Sequence, residues 1–198
     1  MLRGALLIGG LSRRMGFPKA LLPRGTGSLG AFLCELLASA TGTEPVLVGR
    51  GSIGSSAPAY ERVPDLVAGA GPLAAILGLF HHGPETDWLV LATDLAAMNR
   101  EALDWLCSQT ENTAAAAIWP RLPDRPFGEP LAAVYRKTAF PLLESYWHRE
   151  GRALKGALTP GQRYEPEIPA LLRPAFANAN TPRELERIQQ GRHGPDNR

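Results

Sequence analysis

With 198 residues and a formal charge of +2, the chain is the size of one α/β domain, long enough to bury roughly 70% of the surface its unfolded form exposes. Its 21 basic residues are spread along the sequence rather than gathered into a run, which excludes the footprint of a nucleic-acid binder and leaves a small anionic ligand. The apolar stretch from Ala5 to Leu11 is too short to cross a bilayer and runs into Arg13 and Arg14 where a signal peptide carries small residues, so the expectation is a cytoplasmic protein with no membrane partner.

Short apolar runs alternate with longer segments of helical period, the pattern of a mostly parallel sheet covered by helices. In chain order the pattern predicts strand Ala5–Ile8, helix Leu29–Ala40, strands Pro45–Val48 and Glu61–Val63, helix Pro72–His82, strand Trp88–Thr93 and helix Arg100–Gln109. Strands Ala114–Ile118 and Leu131–Tyr135, helix Lys137–Arg149, a further strand Leu172–Phe176 and helix Pro182–Gln190 complete the series. Boundary chemistry agrees: Pro72 suits a first helical turn, Asn99 can cap the helix at Arg100, and Thr181-Pro182 with Glu184 makes a near capping box. The segment Pro120–Pro130, with four prolines and both charge signs, reads as a surface loop beside a site. Cys34 and Cys107 lie in helix-like apolar patterns and lack the second pair that a zinc site needs, so reduced thiols are expected.

No internal repeat or low-complexity linker interrupts the chain. Residues 1–190 therefore read as a single Rossmann-like, three-layer α/β/α domain, and residues 191–198 as a polar, frayed tail. In such an open sheet, ligands bind at the carboxyl ends of the parallel strands.

The first strand runs into Gly9-Gly10-Leu11-Ser12-Arg13-Arg14-Met15-Gly16-Phe17-Pro18-Lys19, a phosphate cradle by composition. Glycines let backbone N–H groups approach an anion, Arg14 offers a planar fork, and Lys19 offers a point charge. The loop has neither the GK[ST] ending of a Walker motif nor the spacing of a dinucleotide fingerprint. Asp94 closes the strand Trp88–Thr93 at the crevice mouth, where Mg²⁺ could bridge it to phosphates; the same residue could instead open a turn before Asn99. Asp65 lies in Val63-Pro64-Asp65-Leu66, which also suits an ordinary turn, and Gly69 and Gly71 could face a ribose or base as well as tighten the turn before Pro72. Asn178 and Asn180 would point to one face of an extended segment, although Asn180 or Thr181 equally suits the cap of the last helix. His81-His82 ends a helix where a cation complements the dipole, and stays outside the site.

The pattern Gly-Gly-x-Ser-x-Arg-Met-Gly-x-x-Lys, present as Gly9 through Lys19, resembles the signature loop of molybdenum cofactor guanylyltransferases. Further matches follow in the family's order: Asp65 before Gly69-Ala70-Gly71-Pro72-Leu73, Asp94 after its hydrophobic strand, Glu129-Pro130-Leu131 before Tyr135, and Asn178-Ala179-Asn180-Thr181-Pro182. The resemblance covers nearly the whole chain. It implies a fold like that of the nucleotide-diphospho-sugar transferases and a nucleotidyltransferase that uses GTP, Mg²⁺ and molybdopterin and releases pyrophosphate. It also implies proteins of molybdenum cofactor biosynthesis, or acceptor proteins, as partners. By resemblance Lys19, Arg14 and Asp94 would be catalytic, and Ile8, Gly9, Gly10, Lys19, Asp65, Gly69, Gly71 and Asp94 would hold the nucleotide. Asp94 would hold the metal, and Glu129, Asn178 and Asn180 would meet the acceptor.

Two positions depart from the family. Leu95-Ala96 follows Asp94 where relatives commonly place a proline two residues on, and Ile8 replaces a common alanine. Competing readings are CMP transfer to molybdopterin, transfer to a sugar or polyol phosphate, and a non-catalytic nucleotide-binding accessory protein. Gly9-Gly10, where those other transferases more often have alanine-glycine, tilts the base toward guanine.

Overall fold

A computed structural model describes residues 1–9, 17–55, 57–179 and 184. Strands β1 (Leu2–Leu7), β2 (Pro23–Arg24), β3 (Gly27–Ser28), β4 (Val46–Val48), β5 (Arg62–Val63), β6 (Asp87–Ala92), β7 (Ala117–Ile118), β8 (Ala132–Tyr135) and β9 (Arg163–Tyr164) are joined by helices α1 (Leu29–Thr41), α2 (Pro72–His82), α3 (Arg100–Ser108) and α4 (Phe140–His148). Apart from the small β2–β3 hairpin, the strands form one sheet in the order β5-β4-β1-β6-β8-β7-β9. Pairing is parallel from β5 through β6, and β8 alone runs against its neighbours β6 and β7.

The sheet is buried on both faces, and its alternating side chains divide between two cores. Leu6, Leu47, Leu89, Leu91 and Val134 point toward Leu29, Leu33 and Leu37 of α1 and Leu103 and Leu106 of α3. Ala5, Val46, Val48, Trp88, Val90 and Tyr135 point the other way, toward Leu73, Ile76, Leu77 and Phe80 of α2 and Leu143 of α4. Helix α2 is buried from Leu73 to Phe80 because it lies between the sheet and α4, where Phe80 stacks on Phe140 at 5.4 Å. The expected three-layer α/β/α architecture is therefore the observed one.

Local chemistry sets the helix ends. The Ser28 hydroxyl accepts from Ala31 N–H at 3.1 Å to start α1, and Gly42 in the left-handed region ends it. The Asn99 side chain caps α3 by accepting from Ala102 N–H at 2.9 Å, and Pro72 lies in the first turn of α2, both as the sequence predicts. The expected strand Leu172–Phe176 is instead part of a 3-10 helix, Ala170–Phe176, with Pro174 inside it. Its Leu172, Ala175 and Phe176 cover the same core as α3, a packing that threefold spacing serves and strand alternation does not. The long helix expected over Lys137–Arg149 begins as a 3-10 turn and becomes α4 only from Phe140. The last predicted helix and the tail lie outside the described residues, Glu184 excepted. Cys34 is buried and Cys107 half-buried, and burial pushes their thiols up to about 12 and about 11. Among the described residues no helix is long and apolar enough to cross a membrane.

Candidate active site

Strands β5, β4, β1 and β6 bring their carboxyl ends to one edge of the sheet. Ile8 and Gly9 follow β1, Gly49-Arg50-Gly51 follows β4, Asp65 follows β5 and Asp94 follows β6. Ile8 continues the pairing, its N–H donating to Val48 O at 3.0 Å, so the chains after β1 and β4 run side by side. A Cβ on Gly49 would lie 2.8 Å from Gly9 Cα, and Gly49 has φ of 93°, so both space and conformation require glycine there.

The Asp65 carboxylate covers this crossing. A Cβ on Gly9 would meet its Oδ2 at 3.7 Å, and one on Gly49 its Oδ1 at 3.6 Å. Oδ1 is buried and, among the described residues, has no hydrogen-bond partner. Burial pushes the carboxyl above its ordinary range, while the Gly69 N–H and the Arg50 charge pull it down. A buried carboxylate oxygen with unused acceptor capacity is suited to a ligand hydroxyl or N–H. The loop that follows turns at Gly69 (φ 75°) and Gly71 (φ 91°), and Gly71 stands at the amino end of α2.

Asp94 lies in the turn after β6. Leu95 N–H donates to Ala92 O at 3.4 Å and Met98 N–H to Leu95 O at 3.0 Å, with Leu95 fully buried. The turn thus closes on a buried leucine, with Ala96, also buried, at the second position after Asp94. Ala179 N–H donates to Asp94 O at 2.8 Å, and Lys19 Nζ donates to Ala179 O at 2.6 Å. One residue, Ala179, therefore links the Lys19 side chain to the main chain of Asp94. Burial pushes the Asp94 carboxyl up, against the pull of the Lys19 charge.

Strand β6 pairs with β8 so that Leu91 faces Ala132, and Ala92 N–H donates to Leu131 O at 2.9 Å. The carboxyl end of β6 thus lies beside the amino end of β8, and Asp94 and Glu129, just beyond those ends, stand at the same edge of the sheet. Burial pushes the Glu129 carboxyl up, the Leu131 N–H lowers it, the Asp94 charge raises it, and Lys155 and Arg125 lower it. Glu129 is thus close enough to Asp94 to feel its charge. Asn178 is exposed beside Ala179, while Gly10, Arg14 and Asn180 lie outside the described residues.

His81 and His82 face Glu144 and Glu61, at 3.3 and 3.2 Å, on the helical layer rather than in the crevice. No group of three or more His, Cys, Asp or Glu among the described residues is placed to hold a metal. Sequence reasoning missed Gly49-Arg50-Gly51, although a glycine-cation-glycine triplet directly after a buried strand is a usable signal. It also missed the role of Ala179, which acts through main-chain atoms and has no side-chain signature.

The structure of molybdopterin-guanine dinucleotide biosynthesis protein A from Archaeoglobus fulgidus superposes with a TM-score of 0.76 at 26% identity, over 96% of this chain and 97% of that one. Fold and crevice together define the nucleotidyltransferase class. More narrowly, the chain belongs to the MobA-like NTP transferase domain family, whose sequence profile matches residues 4–163. The "Probable molybdenum cofactor guanylyltransferase" of Nostoc sp. is 30% identical over 95% of this chain and 90% of its own length. The "Molybdenum cofactor biosynthesis bifunctional protein" of Synechocystis sp. is 33% identical over 72% of this chain, and the match spans only 41% of that longer protein.

Proposed function

We propose that the protein transfers GMP from GTP to the phosphate of molybdopterin. The observation that carries this reading is the Lys19–Ala179–Asp94 link at the mouth of a MobA-like crevice. An acceptor phosphate oxygen attacks the α-phosphorus of GTP, a bond to that phosphorus forms, and the bond to the bridging oxygen breaks to release pyrophosphate. Such a transfer needs alignment and charge neutralisation more than a protein nucleophile. Lys19 with Arg14 neutralises the triphosphate, the amides of Gly9 and Gly10 hold it after Ile8, and Asp65 with Gly69 and Gly71 receives the nucleoside.

Mg²⁺ fits Asp94 on the chemistry of the donors: a hard oxygen ligand beyond the end of β6, with a second carboxylate near enough to feel its charge, both destabilised by burial. Mg²⁺ is commonly held by one or two carboxylates, with phosphates and water completing its shell. When bound it neutralises developing charge on the phosphates. In this reading residues 1–190 work as one cytoplasmic domain, and proteins of molybdenum cofactor biosynthesis are its partners.

Gly9-Gly10 and the guanylyltransferase relatives support GTP over CTP. The test is incubation with molybdopterin, Mg²⁺ and either nucleotide, followed by mass spectrometry. The guanine dinucleotide is the expected product. Product from CTP alone would overturn the base assignment, and product from neither would overturn the acceptor.

A further inference from the structure

The loop from Pro120 to Pro130 carries Glu129, whose carboxyl feels the charge of Asp94. Its prolines restrict the backbone, and its main chain is tied down at both ends. Glu129 N–H donates to Pro120 O at 2.8 Å, Arg121 N–H to Pro166 O at 2.9 Å, and the Tyr135 hydroxyl to Pro130 O at 2.9 Å. Gly128 lies so near the end of β7 that a Cβ would meet Trp119 O at 2.3 Å.

This fixed loop holds Phe127 44% exposed and outside both core clusters, so the ring does not serve packing. Two cations lie against it, Lys155 Nζ at 5.8 Å and the Arg163 guanidinium at 5.9 Å from the ring centroid. Arg163 is a fixed support: it stacks on Trp119 at 5.0 Å and pairs with Glu165 at 2.6 Å. Lys155 and Arg125 are exposed, and neither enters an ion pair among the described residues. Both act on the charge of Glu129, as Asp94 does, so the cations stand within electrostatic reach of the carboxylate beside Asp94.

An exposed aromatic face with adjacent cations, held rigid beside a phosphoryl-transfer centre, suits a flat ring system that carries a phosphate. We propose that Phe127, Lys155 and Arg125 form the acceptor subsite, with Phe127 stacking a flat heteroaromatic ring and the two cations holding its phosphate monoester toward Asp94. The proposal rests on the reading that the acceptor is a pterin phosphate, and it assigns that acceptor side chains on and beside the loop that carries Glu129.

The test uses the full-length protein and two stable fluorescent probes, neopterin monophosphate and neopterin, with binding followed by fluorescence quenching. Wild type binds the phosphate form more tightly. Phe127→Ala weakens both probes about tenfold and Phe127→Trp restores them, whereas Lys155→Ala and Arg125→Ala weaken only the phosphate form, again about tenfold. GTP affinity, measured by calorimetry, stays at the wild-type value in every variant and reports that the fold is intact. Absence of probe binding by wild type, or variants that bind both probes as wild type does, overturns the proposal. Transfer to molybdopterin separates the two levels. If wild type makes no guanine dinucleotide, the proposed function fails; if it does and the Phe127→Ala and Lys155→Ala enzymes keep its acceptor KM, only the subsite fails.

Discussion

Asp94 is held in an environment that disfavours its charge, and that has consequences for stability and for catalysis. Because burial raises its carboxyl in the folded protein, the folded state binds the proton more tightly than the unfolded chain does. Stability from this residue is therefore complete below the ordinary carboxylate pKa of about 4 and is lost as pH rises toward the elevated folded value. Glu129 contributes in the same direction, since burial and the Asp94 charge raise it too. Asp94→Asn keeps the size of the side chain and removes the buried charge. The ligand-free variant should melt at or above the wild-type temperature at neutral pH, with a flatter decline in stability from about pH 4 upward. Its turnover should nevertheless fall roughly a hundredfold, the equivalent of about 3 kcal/mol of transition-state stabilisation. Scanning calorimetry across pH and steady-state kinetics check both halves. Full metal-dependent turnover in the variant would move the metal assignment toward Asp65.

Helix α2 acts on the site through its packing. A Cβ on Gly78 would lie 2.3 Å from Pro64 O and 3.2 Å from Leu66 N, so the absence of a side chain there lets the Asp65 loop rest on the helix. Leu66 N–H donates to Ala74 O at 2.9 Å and secures the same contact. Helix propensity alone would favour alanine by about 1 kcal/mol. Overpacking typically costs about 1–3 kcal/mol, and here the neighbour is backbone, which yields poorly. Gly78→Ala should therefore lower stability in urea denaturation and weaken GTP binding as Asp65 shifts; a variant more stable than wild type with unchanged GTP affinity would refute that link. Element by element, the sequence was readable where burial leaves a mark. Strands β4 and β8, β1 from Gly4 on and β6 from Trp88 on are continuous apolar runs because both faces are covered, Pro72 marks the first turn of α2, and Asn99 caps α3. Strand β9 has only Arg163 and Tyr164, too short for any period, and the Leu172–Phe176 run is apolar for packing against α3 rather than for pairing. Asp94 was legible as an acid after a buried strand. The nearness of Glu129 to it was not, because that depends on the antiparallel pairing of β6 with β8, strands far apart in the sequence.

At the scale of the molecule, the proposed function has one sheet serve two ligands: the ends of β5, β4 and β1 would face the nucleotide, and Asp94 and Glu129 would stand between them and the loop after β7. In that proposal the nucleotide would draw on Gly9, Lys19, Asp65 and the Ala177–Ala179 segment, so that a bound ligand would tie together parts of the chain that are remote in sequence. A ligand that binds only the folded state stabilises it by about 2.7 kcal/mol at a hundred times its Kd. For a domain of this size each kcal/mol moves the melting temperature by about 2–4 °C, so GTP with Mg²⁺ should raise it by roughly 5–10 °C. CTP at the same concentration should produce a smaller shift. Chelation with EDTA should reduce the GTP shift in wild type and, if Asp94 holds the metal as proposed, have little further effect on Asp94→Asn. Differential scanning fluorimetry with both nucleotides, with and without EDTA, checks all of this in one series. Equal shifts for GTP and CTP would remove the base preference, and an Asp94→Asn shift as sensitive to EDTA as that of wild type would place the metal elsewhere in the crevice.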